Sequence, residues 1–144
     1  MSALTRSIDG ATGRSAFAQA VPREDRPDRT VKVWLHLEGA AAFVAGLLLY
    51  AQAGGDWLLF LPALLLPDIG LLGYLRSARF GAFTYDLVHN WAVGLAVLGA
   101  GIALSSTPLS LAGAILIAHV GMDRAVGYGL KYTAGAKVTH LQRV

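Results

Sequence analysis

The chain has 144 residues, of which 55% are hydrophobic and only 15% are Asp, Glu, Lys or Arg, so it is too apolar for a typical small soluble domain and favours a membrane protein. It contains no cysteine, which excludes disulfides, thiolate metal ligands and cysteine nucleophiles. The net charge of +3 comes without an aromatic and basic recognition motif, so nucleic acid is not an expected partner.

Residues 1–30 predict a disordered or loosely ordered cytoplasmic tail. This segment holds five Arg, four acidic residues and two Pro, and it shows little apolar periodicity. It lacks the continuous apolar run that a secretory signal needs. We therefore expect the first membrane segment to remain uncleaved.

The rest of the chain, 31–144, predicts an all-α membrane domain with a short cytoplasmic C-terminal tail. Four apolar stretches each come close to the roughly 20 residues needed to cross the bilayer. The short breaks between them favour antiparallel neighbours, and hence an up-down-up-down four-helix transmembrane bundle. The predicted helices are about 33–53, 57–74, 82–104 and 109–130.

The basic residues predict the orientation. Lys and Arg occur before the first helix, between the second and third, and from the end of the fourth helix onward, whereas the other two connections have none. The positive-inside rule then places both termini in the cytoplasm. Residues expected to anchor the helices at the membrane interfaces are Trp34, Trp57, Tyr128, Lys131 and Tyr132.

Small residues recur at four-residue spacing and predict close helix contacts. In lipid, such residues let two backbones approach each other. Packing within the chain is the favoured interpretation, and a homo-oligomer is left open. The stripes are Ala42/Gly46, Ala92/Ala96/Ala100 and Gly113/Ile117/Gly121.

Seven ionisable residues fall within the predicted helices, towards their cytoplasmic ends. Each costs on the order of 3 kcal/mol or more when it faces lipid, so we expect them to point inward at one another. His119 and Asp123 are four residues apart and share a helix face. The predicted buried polar cluster or ligand site consists of Glu38, Asp68, Asp86, His89, His119, Asp123 and Arg124.

The cluster has a surplus of negative charge. Four carboxylates face one Arg, so protons, charged His, Lys131 or a bound cation must compensate. Two His with Asp from different helices are a ligand set for zinc, iron or manganese, which makes a divalent metal a candidate cofactor. The candidate metal ligands are Asp68, His89, His119 and Asp123. A structural hydrogen-bond network and a transport pathway are the open alternatives.

Two further features have more than one interpretation. Pro67 predicts a kink or break that frees the carbonyl of Ala63. The run GYGLKY at 127–132 could contact a phosphate or head group through glycine backbone and Lys131. An aromatic belt of Tyr128 and Tyr132, with Lys131 as an anchor, is the favoured interpretation.

Several motifs resemble a bacterial family of small four-helix membrane proteins classed as a domain of unknown function. They are LEG at 37–39, PDIGLLGYL at 67–75, YDLVH at 85–89, AHVGMDRAVGYGLKY at 118–132 and THL at 139–141. The resemblance covers 33–144 and implies a fold but no activity. Many relatives have Asn where this chain has Asp86, which argues against an essential ionised role for Asp86.

The expected protein is therefore a multi-pass protein of the bacterial inner membrane, with the lipid bilayer as its partner and its protein partners unidentified. Its buried polar site is structural or ligand-binding. One alternative is a metal-dependent hydrolase of a lipid or phosphate ester, in which Arg124 holds the anionic group. Membrane-bound metal-dependent hydrolases show a similar scatter of Asp and His near one membrane face. A second alternative is a proton-coupled small-solute transporter.

Overall fold

Six helical segments make up the part of the chain that the structure describes. The computed structural model describes residues 29–131, so the predicted tail up to residue 28 and residues 132–144, with Tyr132, lie outside the described residues. The all-helical class is confirmed over the described range. The segments are α1 (Arg29–Gln52), α2 (Trp57–Leu64), a 3₁₀ helix (Leu66–Leu75), α3 (Ala78–Val88), α4 (Trp91–Ala103) and α5 (Thr107–Val126).

Three of these stretches are long and apolar enough to cross a membrane: Arg29–Gln52, Trp57–Leu75 and Thr107–Val126. The pair α3 and α4 makes a fourth if it is counted as one span, and its two helices are bent by 44°. Large apolar side chains point outward on these helices, with Leu58 84% and Leu75 87% exposed. Such a surface suits lipid better than water.

The predicted third helix, 82–104, is wrong as a single helix. The structure divides it at His89 and Asn90 because Asn90 caps the start of α4, its Oδ1 accepting a hydrogen bond from the Ala92 amide at 2.8 Å. The first half also begins earlier than predicted. Ser77 caps α3 through a 3.1 Å hydrogen bond from the Phe80 amide to its Oγ.

Helix α5 is the centre of the packing, between α1 and α4. Glycines make the contacts close: a Cβ added to Gly121 would lie 2.4 Å from the Phe43 amide nitrogen on α1, and one added to Gly113 would lie 2.4 Å from that of Leu98 on α4. Two of the predicted stripes therefore do meet a neighbouring helix within the chain.

The predicted alanine stripe of α4 does not make that contact. Ala92, Ala96 and Ala100 are exposed. Helix α4 approaches α5 instead through Gly101, whose added Cβ would lie 2.4 Å from the Ser110 amide nitrogen, and through Gly94 beside Ile117.

Helix α3 packs against the 3₁₀ helix, which brings the two short segments of the site together. The Thr84 hydroxyl on α3 donates a 2.7 Å hydrogen bond to the carbonyl of Gly70. Gly73 faces the same hydroxyl. The C-terminal end of α3 and the first turn of the 3₁₀ helix thereby reach the middle of α5.

Candidate metal centre

Four side chains from three elements converge on one point. Asp68 comes from the first turn of the 3₁₀ helix, His89 caps the end of α3, and His119 and Asp123 stand one turn apart on α5. His119 is fully buried and His89 is 3% exposed. The side chains of Asp123 and Asp68 are 14% and 41% exposed, so the point is closed on the histidine side and open on the side of Asp68.

The distances between the potential ligand atoms are short and similar. The two Nε2 atoms lie 2.9 Å apart. Asp68 Oδ1 lies 3.5 Å from His89 Nε2 and 3.7 Å from His119 Nε2, and Asp123 Oδ2 lies 3.5 Å and 3.8 Å from the same two atoms. Tetrahedral ligands at about 2.0–2.1 Å from a zinc ion are separated from one another by about 3.3–3.4 Å. These five separations scatter around that value, and the ligand atoms of Asp68, His89 and His119 all lie within 4.8 Å of one another.

The ring of His119 is oriented by a backbone carbonyl that Pro67 leaves without its helical partner. Its Nδ1 donates a 2.6 Å hydrogen bond to the carbonyl of Leu64. In the 3₁₀ pattern that carbonyl would accept from residue 67, which as proline has no amide hydrogen, and the amide of Asp68 bonds to Leu65 instead. The predicted break at Pro67 is present, but the carbonyl that it makes available is that of Leu64, one residue beyond Ala63.

The ring of His89 is held in the same manner. Its Nδ1 donates a 2.8 Å hydrogen bond to the carbonyl of Tyr85, one turn earlier in α3. The ring of Tyr85 stacks on the imidazole with centroids 3.5 Å apart and an interplanar angle of 17°. Asn90 stops the helix directly after His89, which fixes where this ring stands.

These two hydrogen bonds determine the tautomers. A carbonyl oxygen only accepts, so the Nδ1 atom of each ring carries the hydrogen and each neutral Nε2 presents a lone pair. Two lone pairs then face each other at 2.9 Å, and one oxygen each of Asp68 and Asp123 lies 3.5 Å from His89 Nε2. Four acceptors converge with no donor among them. Such an arrangement is stable only when a cation, either a proton or a metal ion, lies between them.

Tyr85 also supports the carboxylate ligand. Its hydroxyl donates a 3.1 Å hydrogen bond to Oδ2 of Asp123. One side chain therefore orients both His89 and Asp123. Tyr85 is 3% exposed, so bulk water does not compete for this bond.

Lys131 approaches the centre from beyond the end of α5. Its Nζ lies 3.9 Å from the centroid of the Tyr85 ring, and its backbone amide donates a 2.8 Å hydrogen bond to Oδ1 of Asp86. Burial lowers the pKa of the Lys131 ammonium from its usual value, although Asp68, Asp123 and Asp86 favour the charged form.

A cavity of about 320 Å³ opens beside the two carboxylates. Its walls mix polar and apolar side chains, and its residues come from the 3₁₀ helix, α3, α5 and the segment that follows. They are Asp68, Leu71, Tyr85, Met122, Asp123, Val126, Tyr128 and Lys131. A small molecule in this cavity would reach Asp68 and Asp123 directly.

The structure brings together four of the seven residues of the predicted cluster. These four are the candidate metal ligands named from the sequence: Asp68, His89 and His119 form one mutually close group, and Asp123 Oδ2 lies within 3.8 Å of both Nε2 atoms. Asp86 lies to one side, bound to the Lys131 amide. Arg124 is half-buried, and its Cβ faces the position of Gly39 on α1.

The prediction that Glu38 belongs to a buried cluster is wrong, because its side chain is exposed on α1. Among the predicted interface anchors, Trp34, Trp57 and Tyr128 are more than half exposed. Lys131 instead lies over Tyr85. Tyr132 is outside the described residues.

Three contributions were missed in the sequence. Tyr85 could have been found, because it stands four residues before His89 and therefore on the same helix face. The role of the Leu64 carbonyl could not have been found, because it is a backbone group and no residue type indicates it. His36, on α1, forms a 2.7 Å hydrogen bond to the carbonyl of Ala125 and ties α1 to the end of α5, away from the four converging side chains.

Comparison with known proteins identifies a family but indicates no activity. No curated protein and no solved structure matches the chain. A family model described as a domain of unknown function, DUF4260, matches residues 32–144. This match covers most of the chain and includes all four converging side chains. The chain therefore belongs to the DUF4260 family.

Proposed function

We propose that this protein binds one divalent transition metal ion, zinc in the first instance, between Asp68, His89, His119 and Asp123. The observation that supports this most is the pair of Nε2 atoms 2.9 Å apart, each made an acceptor by its own Nδ1 hydrogen bond. Two imidazoles and two carboxylates also match the ligand preferences of zinc, iron and manganese.

Charge supports the same proposal. Two carboxylates in an apolar helical protein need compensation, and a divalent cation neutralises both at once. The hydrogen bonds behind these side chains are those of protein metal sites, in which each ligating imidazole donates its other N–H to a carbonyl and the ligating carboxylate is itself hydrogen-bonded.

Zinc titration of the detergent-purified, chelator-stripped protein tests this proposal. We expect one zinc per chain in the wild type and loss of stoichiometric binding in His89→Ala and His119→Ala. His36→Ala is the matched control, because His36 bonds to Ala125 outside the centre and should leave zinc binding unchanged. Circular dichroism and gel filtration establish that each variant is folded.

Failure of the folded wild type to bind zinc, iron or manganese stoichiometrically would contradict the proposal. So would wild-type affinity in both histidine variants. In either case the pair would share a proton instead. Proton flux in proteoliposomes that is lost with His89→Ala would then favour the transport alternative.

Hydrolysis of an ester is a second candidate function, favoured by the cavity that reaches Asp68 and Asp123. Metal centres with one open side are the usual arrangement in hydrolytic metalloenzymes. Zinc-dependent release of p-nitrophenol from a phosphate ester, lost in His119→Ala, would support it. Full zinc occupancy without cleavage of phosphate or carboxylate esters would count against it.

For its location, we propose the bacterial inner membrane, crossed four times by α1, by α2 with the 3₁₀ helix, by α3 with α4, and by α5. The support is the apolar length of these stretches together with the one-sided distribution of Lys and Arg. Both termini would then be cytoplasmic. A homo-oligomer, formed through the exposed alanines of α4, remains a prediction.

A further inference from the structure

The cavity beside the metal centre is lined by both charged and apolar side chains. Asp68, Asp123 and Lys131 supply charge, and Leu71, Met122 and Val126 supply apolar surface. Its volume of about 320 Å³ lies at the lower end of the roughly 300–1,000 Å³ of small-molecule sites. A ligand that fills it would therefore be small and amphiphilic, with a polar end towards the carboxylates.

Lys131 is placed in this cavity by specific backbone contacts. Gly127 ends α5 with a φ of 94°, and the amide of Tyr128 bonds back to the carbonyl of Asp123 at 2.7 Å. The chain then turns so that the Lys131 amide reaches Asp86. The ammonium group consequently lies over the Tyr85 ring rather than extending away from the protein.

The ammonium is available to a ligand. Among the described residues 29–131, no carboxylate lies within 4.0 Å of it to form an ion pair. A Lys ammonium in an otherwise largely apolar cavity is a common point of attachment for a phosphate.

The sign of the local charge makes anion binding conditional on the metal. Without a cation, Asp68, Asp123 and Asp86 outnumber Lys131 and would repel an anion. A divalent ion neutralises Asp68 and Asp123, and Lys131 then balances Asp86. An anion that enters the cavity would meet a metal ion on one side and an ammonium on the other.

We propose that the cavity binds a single-chain amphiphile with a phosphate head group, the phosphate lying between the metal centre and Lys131. Its alkyl chain would lie against Leu71, Met122 and Val126. This inference rests on the proposed metal binding and adds the class of ligand to it.

Native mass spectrometry of the full chain, released from detergent and titrated with hexyl phosphate, tests the proposal. We expect the zinc-loaded protein to bind one hexyl phosphate and the chelator-stripped protein to bind none. Lys131→Gln should weaken binding about tenfold with zinc content unchanged, since one charge-assisted contact is lost. Lys131→Arg should retain most of the affinity, and Lys32→Gln on α1 serves as the control.

Two further probes distinguish the parts of the ligand. Inorganic phosphate should bind more weakly than hexyl phosphate because it leaves the apolar wall unused. Hexanoate should bind more weakly because it lacks the third oxygen of the head group. If inorganic phosphate bound as tightly as hexyl phosphate, the proposal that the ligand is an amphiphile would be wrong. If hexanoate bound as tightly, the proposal of a phosphate head group would be wrong.

The remaining outcomes separate the two proposals. A protein that loads zinc but binds no hexyl phosphate, or binds it equally well in Lys131→Gln, contradicts the inference and leaves the metal centre intact. A folded protein that loads no metal contradicts the proposed function itself.

Discussion

His89 and His119 are oriented by backbone carbonyls, and this determines the chemistry available to them. Their Nδ1 hydrogens are used at 2.8 Å and 2.6 Å, which leaves both Nε2 atoms as acceptors. Had a side chain held either ring, a change of rotamer could release it. Carbonyls belong to the helices themselves, so the two lone pairs stay aligned as long as the helices do.

Tyr85 should matter for metal affinity without touching the metal. Tyr85→Phe keeps the ring that stacks on His89 but removes the hydroxyl that donates to Asp123. Loss of such a contact typically weakens a metal site by about 10–100-fold, and we expect an effect near the lower end. Competition with a chromophoric zinc chelator measures it.

The control for this substitution is Tyr128→Phe, which changes a tyrosine that lines the same cavity but is 56% exposed. We expect its zinc affinity to match the wild type. Equal affinities in Tyr85→Phe and the wild type would show that the Asp123 hydrogen bond does not support the centre.

The sequence predicted that these side chains lie close together because depth along a helix can be counted. His119 and Asp123 share a face by their spacing, and Asp68 and His89 have comparable distances from the basic residues that follow or precede them. Residue spacing does not show which face of a helix packs against a neighbouring helix. Glu38 was therefore misassigned: Gly39 is the residue of α1 that packs on α5, and the preceding residue points about 100° away.

The breaks in the helices position the two histidine rings of the candidate site. Asn90 ends one helix and starts the next directly after His89. Pro67 frees the Leu64 carbonyl for His119. Hydropathy alone predicted 57–74 and 82–104 as single helices, because the breaks are single polar or proline residues within apolar runs. Their positions follow from cap chemistry, which operates over only a few residues.

Pro67→Ala should disturb the centre from a distance. An alanine amide at position 67 can donate to the Leu64 carbonyl in the 3₁₀ pattern and so compete with Nδ1 of His119. We expect zinc affinity to fall on the order of tenfold, as when other hydrogen bonds that orient a metal ligand are lost. Circular dichroism should show that the protein remains folded.

Pro62→Ala provides the comparison, since Pro62 lies inside α2 and is exposed. Its replacement by alanine restores a backbone amide in a different turn of the helix and should leave zinc affinity unchanged. Equal effects of the two proline substitutions, or none from Pro67→Ala, would contradict the role assigned to the Leu64 carbonyl.

Over residues 29–131, the molecule combines an apolar exterior with a polar interior cluster beside α5. Because the chain has no cysteine, single introduced cysteines report on its orientation without background. Gln52→Cys and Thr107→Cys lie at exposed helix ends that flank the basic-free connections, and Ala78→Cys lies beside Arg79. We expect a membrane-impermeant thiol reagent to label the first two from the periplasm and the third only after lysis.

The opposite labelling pattern would show that the protein has the opposite orientation in the membrane. Labelling of all three positions from one side would contradict the four crossings. Labelling of Gln52→Cys and Thr107→Cys from opposite sides would indicate that α3 and α4 do not form one span. The membrane assignment and the metal centre can therefore fail independently.

Zinc K-edge X-ray absorption on the reconstituted protein is the most direct test of the metal centre. We expect four nitrogen and oxygen ligands at about 2.0–2.1 Å, with the outer-shell scattering of two imidazole rings. In His89→Ala/His119→Ala that imidazole signal should disappear. A zinc spectrum without imidazole scattering in the wild type, or one unchanged in the double variant, would show that these histidines do not bind the metal.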